Sequence, residues 1–120
     1  MKLINRSAIM VLPRQPYADW VNGLGPEVSG LDHPMELEAH RREGRVYLVD
    51  EQEDALALET AVPENWRQIF ENELAAWDQF ADAWPGSLSE ALFRDWFETR
   101  ELLLAFDLGS ELLMTAELED

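Results

Sequence analysis

Carboxylates are the side chains of this sequence that could most readily bind an ion or catalyse a reaction, because the chain contains no cysteine and only two histidines. They cluster in two places, one directly after a short apolar run and one in a segment rich in aromatic residues. The candidate partner-binding residues are Asp50, Glu51, Glu53, Asp54, Glu71, Glu73, Asp78 and Asp82. Carboxylates at such spacing can bind Mg²⁺ or Ca²⁺, but they are also typical of a solvated helix face. We expect all eight to face solvent.

No catalytic or metal-binding motif accompanies these acids. The segment Asp50–Asp54 lacks the glycine and the bidentate acid of an EF-hand loop. His33 and His40 lie seven residues apart outside any zinc-binding pattern, so we expect two exposed loop histidines. No serine stands in a G-x-S-x-G elbow. The sequence therefore assigns no catalytic residue, metal ligand or cofactor, although a small carboxylate- or metal-dependent hydrolase using Glu71, Glu73 and Asp78 stays an alternative.

Charge is the extreme property of the chain, with a formal net charge of −16. The first 49 residues carry equal numbers of acids and bases, so the whole excess lies in residues 50–120. Direct binding to nucleic acid or to an anionic membrane is disfavoured, because phosphate contacts need clustered lysine and arginine. The leading hypothesis is a non-catalytic interaction or regulatory protein that binds a basic partner. An alternative is a DNA mimic that inhibits a nucleic-acid-binding protein.

Length and composition indicate a single domain over residues 1–120. Hydrophobic residues make up 47% of the chain and five are tryptophan, which is too much apolar material for a disordered chain. The apolar run Ala8–Leu12 is too short for a signal peptide, and no other run reaches membrane-spanning length. We therefore expect a cytoplasmic protein. The sequence leaves the oligomeric state open.

The N-terminal half alternates strand and helix signals. Leu3–Leu12 predicts a buried strand that Pro13 ends, and Pro16 suits the first turn of a following helix. Pro26–Gly44 predicts the longest loop, with one or two helical turns over Met35–Arg42. Val46–Val49 predicts a second strand, and the acids that follow it suit the N-terminus of a helix running to about Val62.

The C-terminal half predicts helices followed by a strand. Pro63 begins an amphipathic helix on which large apolar residues recur at three- and four-residue steps. Ser87 and Glu90 fit a capping box before a helix whose buried stripe includes Leu88, Leu92, Phe93 and Trp96. Leu102–Phe106 predicts a strand covered on both faces, and Gly109-Ser110 allows a hairpin returning through Glu111–Leu118.

Together these elements predict an α+β fold of order β-α-β-α-α-α-β. We expect a three- or four-stranded mixed or antiparallel sheet with the helices packed mainly on one face. The rings concentrated in residues 66–97 favour a hydrophobic core over a ligand groove, since aromatic residues dominate core burial. They are Trp66, Phe70, Trp77, Phe80, Trp84, Phe93, Trp96 and Phe97.

This aromatic framework resembles a family of short bacterial proteins. The matching segments are Asn5–Ile9, Val46–Glu51, Trp66–Leu74, Trp77, Trp84-Pro85, Phe93–Phe97 and Phe106–Leu108. They cover most of the chain up to Leu108, and the residues after Gly109 depart from the pattern. The resemblance implies no particular activity, because the shared signature is aromatic and contains no catalytic motif.

Overall fold

The protein is described from residue 1 to residue 118 in a computed structural model, and the fold is α+β, as predicted. The strands are β1 (Lys2–Ile4), β2 (Arg6–Pro13), β3 (Arg45–Asp50), β4 (Phe97–Leu102) and β5 (Ala105–Asp107). The helices are α1 (Gln15–Gly23), α2 (Pro26–Ser29), α3 (Leu37–Arg42), α4 (Ala55–Leu58), α5 (Ala61–Ala75) and α6 (Glu90–Trp96). Among residues 1–118, no helix combines the length and the apolar character that crossing a bilayer requires.

Two antiparallel sheets organise the strands. The larger sheet has the order β3-β2-β4, and a separate pair joins β1 to β5. Side chains alternate between the two faces along each strand, so Ile9 and Val11 of β2 face the helices and are fully buried. Ala8 and Met10 lie on the opposite face, where Ala8 is buried between its cross-strand neighbours Leu48 and Leu102, which are themselves exposed. The sheet therefore has one packed face and one open face.

Helix boundaries follow local chemistry. Pro16 lies in the first turn of α1, where a missing backbone N–H breaks no intrahelical bond. The Asp54 carboxylate caps α4 by accepting a hydrogen bond from the Ala57 backbone N–H at 2.8 Å. Pro63 lies in the first turn of α5. The helix begins at Ala61, two residues before the predicted start at Pro63. These positions confirm the proline and acid signals of the sequence.

The core lies between the packed face and the two longer helices of the chain. Val21 of α1 and Phe70 and Leu74 of α5 are fully buried against Ile9 and Val11 of the sheet. Phe93 and Phe97 complete the aromatic part of this core, with ring centroids 5.2 Å apart. The four tryptophans predicted to form the core, Trp66, Trp77, Trp84 and Trp96, are half-buried and pack around it. Phe80, which the sequence predicts to be part of the same core, is 78% exposed, so that prediction is wrong.

Several sequence predictions are wrong in detail. The single strand predicted over Leu3–Leu12 is two strands, because β1 pairs with β5 while β2 pairs with β3 and β4. The cap of α6 is Ser89, whose hydroxyl accepts a hydrogen bond from the Leu92 N–H at 3.1 Å, and not Ser87. His40 is buried on α3, where it packs edge-on against two aromatic rings, instead of lying exposed in a loop.

The C-terminal strand predictions are also corrected. β4 begins at Phe97, directly after α6. The strand structure is interrupted at Leu103 and Leu104, and β5 begins after them. The run Leu102–Phe106 is not covered on both faces, because its alternate side chains Leu102, Leu104 and Phe106 are exposed. Residues Glu111–Leu118 form no strand, so the predicted hairpin is not present.

Candidate functional site

The acidic segment, Asp50–Asp54, lies where β3 ends and α4 begins. The carboxylates of Asp50, Glu51, Glu53 and Asp54 are exposed, as predicted. None of the four takes part in an ion pair within residues 1–118. Because β3 anchors one end of the segment and the Asp54 cap fixes the other, these charges are held on a short connection between two ordered elements.

Most of the basic side chains are already neutralised within the chain. Six arginines make ion pairs with acids of the described residues: Arg41, Arg42, Arg45, Arg67, Arg94 and Arg100. The shortest of these pairs joins Arg41 Nη2 to Glu98 Oε1 at 2.6 Å, and this hydrogen bond lowers the pKa of the Glu98 carboxyl. The internal pairs use a minority of the 25 acids. Most of the acids of residues 1–118 therefore take part in no ion pair within that part of the chain.

The four candidate acids around α5 divide into two exposed and two buried residues. Glu71 is partly exposed beside Arg67, at 3.8 Å, and Asp82 lies in the exposed loop after α5. Glu73 is 1% exposed and Asp78 is 2% exposed. The expectation that all eight acids face solvent is therefore wrong for Glu73 and Asp78, and the reason is that each has strong donors inside the fold.

Glu73 is held by two side chains of β3. Arg45 donates from Nη1 to Glu73 Oε1 at 2.9 Å, and the Tyr47 hydroxyl donates to Oε2. Tyr17 of α1 donates its hydroxyl to the Glu73 backbone carbonyl at 2.6 Å. A buried charge needs such partners, because an isolated carboxylate is very costly to remove from water. These contacts join α5 to both β3 and α1.

Burial and the Glu73 charge raise the pKa of both tyrosine hydroxyls, in that order of importance. Both groups therefore stay protonated and remain hydrogen-bond donors. Burial alone lowers the pKa of Arg45, but attraction to Glu73 outweighs it and raises the pKa overall. Since Glu73 is paired with a permanent cation and a tyrosine donor, it is poorly placed to act as a general base. Its geometry is that of a structural ion pair.

Asp78 stabilises the turn that follows α5. Its carboxylate accepts hydrogen bonds from the backbone N–H groups of Ala83 at 2.7 Å and Asp82 at 3.3 Å. Ala81, inside this turn, has a φ of 60°, a left-handed conformation that is unfavourable for alanine. The Trp84 indole N–H donates to the Asp78 carbonyl at 2.9 Å. The Asp78 carboxylate therefore satisfies backbone N–H groups of a strained loop and does not point toward solvent.

The acids near α5 do not converge on one point. Glu73 faces β3, Asp78 faces its own turn, and Glu71 pairs with Arg67 on the helix surface. Within residues 1–118, no three acidic or histidine side chains lie close enough to hold a metal ion together. The residues on which the hydrolase alternative depends are thus separated by the fold.

A cavity of about 240 Å³ lies beside the Glu73 pair. Its walls include Tyr17, His40, Arg45, Glu73 and Trp77. Burial lowers the pKa of His40, and its Nε2 has no hydrogen-bond partner among the described residues. The sequence prediction missed this histidine, although its place three residues after Leu37 on a short helix was a signal that it could point inward. The cavity presents a neutral imidazole beside an arginine whose charge Glu73 already balances, so it offers no activated nucleophile.

Comparison of the chain with family models, with curated proteins and with solved structures finds no match.

Proposed function

We propose that this protein is a non-catalytic interaction protein that binds a basic protein partner through the acidic segment. The observation that carries the proposal is that the four carboxylates of this segment are exposed and unpaired, while six arginines are paired internally. A partner rich in lysine or arginine can pair with Asp50, Glu51 and Glu53 without breaking an ion pair, while Asp54 keeps its hydrogen bond to the Ala57 N–H.

The position of the segment supports this role. Its ends are fixed by β3 and by the Asp54 cap, so little conformational entropy is lost when a partner binds. Clustered charge on a fixed connection steers a basic partner during diffusional encounter, and salt screens this effect. Binding should therefore be fast at low ionic strength and should weaken as salt is added.

The buried acids support a non-catalytic interpretation. The two carboxylates that are shielded from water, Glu73 and Asp78, are both committed to structural hydrogen bonds. Recognition by the surface explains the one-sided charge better than catalysis does.

The test is capture of partners from a bacterial lysate with three immobilised proteins. They are the wild type, a segment variant (Glu51→Gln with Glu53→Gln) and a control variant (Glu59→Gln with Asp95→Asn). Both variants lose two exposed, unpaired acids, so they have the same net charge. Asp54 is kept because it caps α4.

The proposal predicts a basic protein that wild type and control retain equally and that the segment variant loses. Capture that follows net charge alone, so that both variants bind equally weakly, would contradict it. If the captured protein binds nucleic acid, competition with duplex DNA distinguishes two modes of binding. Displacement of DNA by the acidic protein would support DNA mimicry, and simultaneous binding would exclude it.

A further inference from the structure

The outer edge of β3 carries backbone groups that have no neighbouring strand. The larger sheet has the order β3-β2-β4, so within residues 1–118 β3 is paired on one side only. Which of its groups face outward follows from the other side of β2. There the Arg14 N–H donates to the Trp96 carbonyl at 2.8 Å, one residue beyond the register pair of Pro13 with Phe97. In an antiparallel ladder such a bond flanks a pair that exchanges no hydrogen bonds, so the Pro13 backbone faces the β3 side.

Alternation along the ladder then identifies the free groups of β3. Every second residue of β2, counted back from Pro13, faces β3, and its register partner in β3 faces back; Tyr47 is one such partner. The intervening residues of β3 turn their backbone N–H and carbonyl groups to the outer edge, and they are Val46, Leu48 and Asp50. Within residues 1–118, the Asp50 carbonyl accepts from the Gln52 side-chain amide at 2.9 Å, and the three N–H groups have no acceptor.

The acidic segment continues directly from this edge. Asp50 is the last residue of β3, and Glu51 and Glu53 follow it. None of the three takes part in an ion pair within residues 1–118. Arg6 is the register partner of Asp50 on β2, but its guanidinium donates to the Asn5 carbonyl at 2.8 Å. The C-terminal end of β3 therefore combines free backbone groups with acids that no cation of the described chain neutralises.

The other outer strand of the sheet, β4, has a different charge pattern. Arg100 stands between Glu98 and Glu101 along this strand. Glu98 is already paired with Arg41 at 2.6 Å and lies 3.8 Å from Arg100. A basic segment is therefore better matched in charge to the edge of β3 than to that of β4.

We propose that the basic partner binds by adding an extended segment to the outer edge of β3 as an antiparallel strand. The added strand satisfies the free backbone groups of Val46 and Leu48, and the antiparallel direction repeats both existing pairings of the sheet. It also brings the N-terminal part of the partner's segment beside Asp50 and the acids that follow. This mode of binding rests on the proposed function, because it takes the partner to be basic and to meet the acidic segment.

The register predicts a sequence pattern for the partner. In an antiparallel pair, residues that exchange hydrogen bonds stand directly opposite each other, and their side chains share one face. The partner's residues opposite Val46 and Leu48 therefore meet exposed apolar side chains, and its residue opposite Asp50 meets a carboxylate. From the N-terminus, we expect basic residues up to the position opposite Asp50, and then apolar residues at every second position.

The test uses fluorescein-labelled peptides and fluorescence anisotropy with the full-length chain. The forward peptide is lysine-lysine-lysine-threonine-valine-threonine-valine, which follows the predicted pattern. The reversed peptide has the same composition and charge, but its lysines would lie beside Arg45, which Glu73 neutralises, and the exposed Glu43. Two further forward peptides carry backbone N-methyl groups. One is methylated on the valines, whose N–H groups would face β3, and the other on the threonines, whose N–H groups would face away.

A proline at the edge of β3 tests the same contact from the side of the protein. Leu48→Pro removes an N–H that points away from β2 and places a ring where the added strand would lie, so the internal ladder keeps its bonds. Leu48→Ala is the matched control, because it loses the same side chain and keeps the N–H. Circular dichroism checks that both variants fold, and if Leu48→Pro does not, the two methylated peptides decide the question with the wild type.

We expect the forward peptide to bind the wild type more tightly than the reversed peptide does. Leu48→Pro should raise its dissociation constant roughly tenfold or more, because a backbone hydrogen bond is lost and the strand is blocked. Leu48→Ala should have a much smaller effect. Methylation of the valines should weaken binding as strongly as the proline does, and methylation of the threonines should leave it nearly unchanged.

Failure of strand addition and failure of the proposed function give different results. Equal affinity for the two methylated peptides, equal affinity of Leu48→Pro and Leu48→Ala, or no binding of the forward peptide would overturn strand addition. A basic protein of the lysate that Leu48→Pro retains, and that Glu51→Gln with Glu53→Gln loses, would leave the proposed function standing without strand addition. Retention of that protein by Glu51→Gln with Glu53→Gln would overturn both.

Discussion

Replacing Glu73 with glutamine is the sharpest test of the interior of this fold. The substitution keeps the shape of the side chain and removes the charge that Arg45 Nη1 contacts at 2.9 Å. Breaking a fully buried ion pair costs about 3–5 kcal/mol. The Arg45 side chain is 39% exposed, so water compensates part of its lost partner and the expected cost falls to about 2–3 kcal/mol.

For a chain of 120 residues, 1 kcal/mol corresponds to roughly 4 °C in Tm, so Glu73→Gln should lower Tm by about 8–12 °C. Glu71→Gln on the same helix is the matched control. Its partner Arg67 lies 3.8 Å away on the surface, and its loss should cost less than about 0.5 kcal/mol. Thermal unfolding measures the change in Tm. Urea unfolding followed by tryptophan fluorescence measures the free-energy cost of each substitution.

A double-mutant cycle separates the pair from the burial of its members. If Arg45 and Glu73 stabilise one another, Arg45→Met and Glu73→Gln together should cost about 1–2 kcal/mol less than the sum of the single changes. Strict additivity, or a Glu73→Gln cost no larger than that of Glu71→Gln, would refute the structural ion pair.

Two further predictions concern pH and helix capping. The His40 pKa is lowered in the fold, so the unfolded chain binds more protons below about pH 6.5 and stability should fall there. The fall should be smaller in His40→Gln. Unfolding of both proteins at pH 7.5 and at pH 5.5, on either side of the ordinary histidine pKa of about 6.5, measures the difference. An equal fall in the two proteins would contradict it. Ser89→Ala should cost about 1 kcal/mol, because it removes a helix cap, and Ser87→Ala should cost almost nothing; equal costs in urea unfolding would show that the cap is misplaced.

The sequence predicts correctly those helices and strands that depend on patterns among neighbouring residues. The apolar spacing of residues 66–77 predicts α5, and the short run Val46–Val49 predicts β3, because each pattern requires only neighbouring residues. The spacing of Ser87 and Glu90 predicts the cap at Ser87, which is two residues too early. The hydrogen bond between Ser89 and Leu92 decides its position.

Long-range partners explain what the sequence prediction missed. Glu73 lies three residues after Phe70 and so shares its buried face, which is a signal that was available. Its burial nevertheless depends on Arg45 and Tyr47, which are supplied by a strand more than twenty residues away. The run Leu102–Phe106 shows the opposite error, because apolar composition indicates burial but does not show whether a covering element exists.

Recognition by the acidic segment is the central claim, and the salt dependence of affinity tests it most directly. Once a basic partner is captured, its dissociation constant is measured by fluorescence anisotropy as ionic strength is raised. We expect the affinity of the wild type and of Glu59→Gln with Asp95→Asn to fall steeply and equally with salt. The affinity of Glu51→Gln with Glu53→Gln should be weaker at low salt and should fall less steeply. Equal slopes for all three proteins would contradict recognition by this segment.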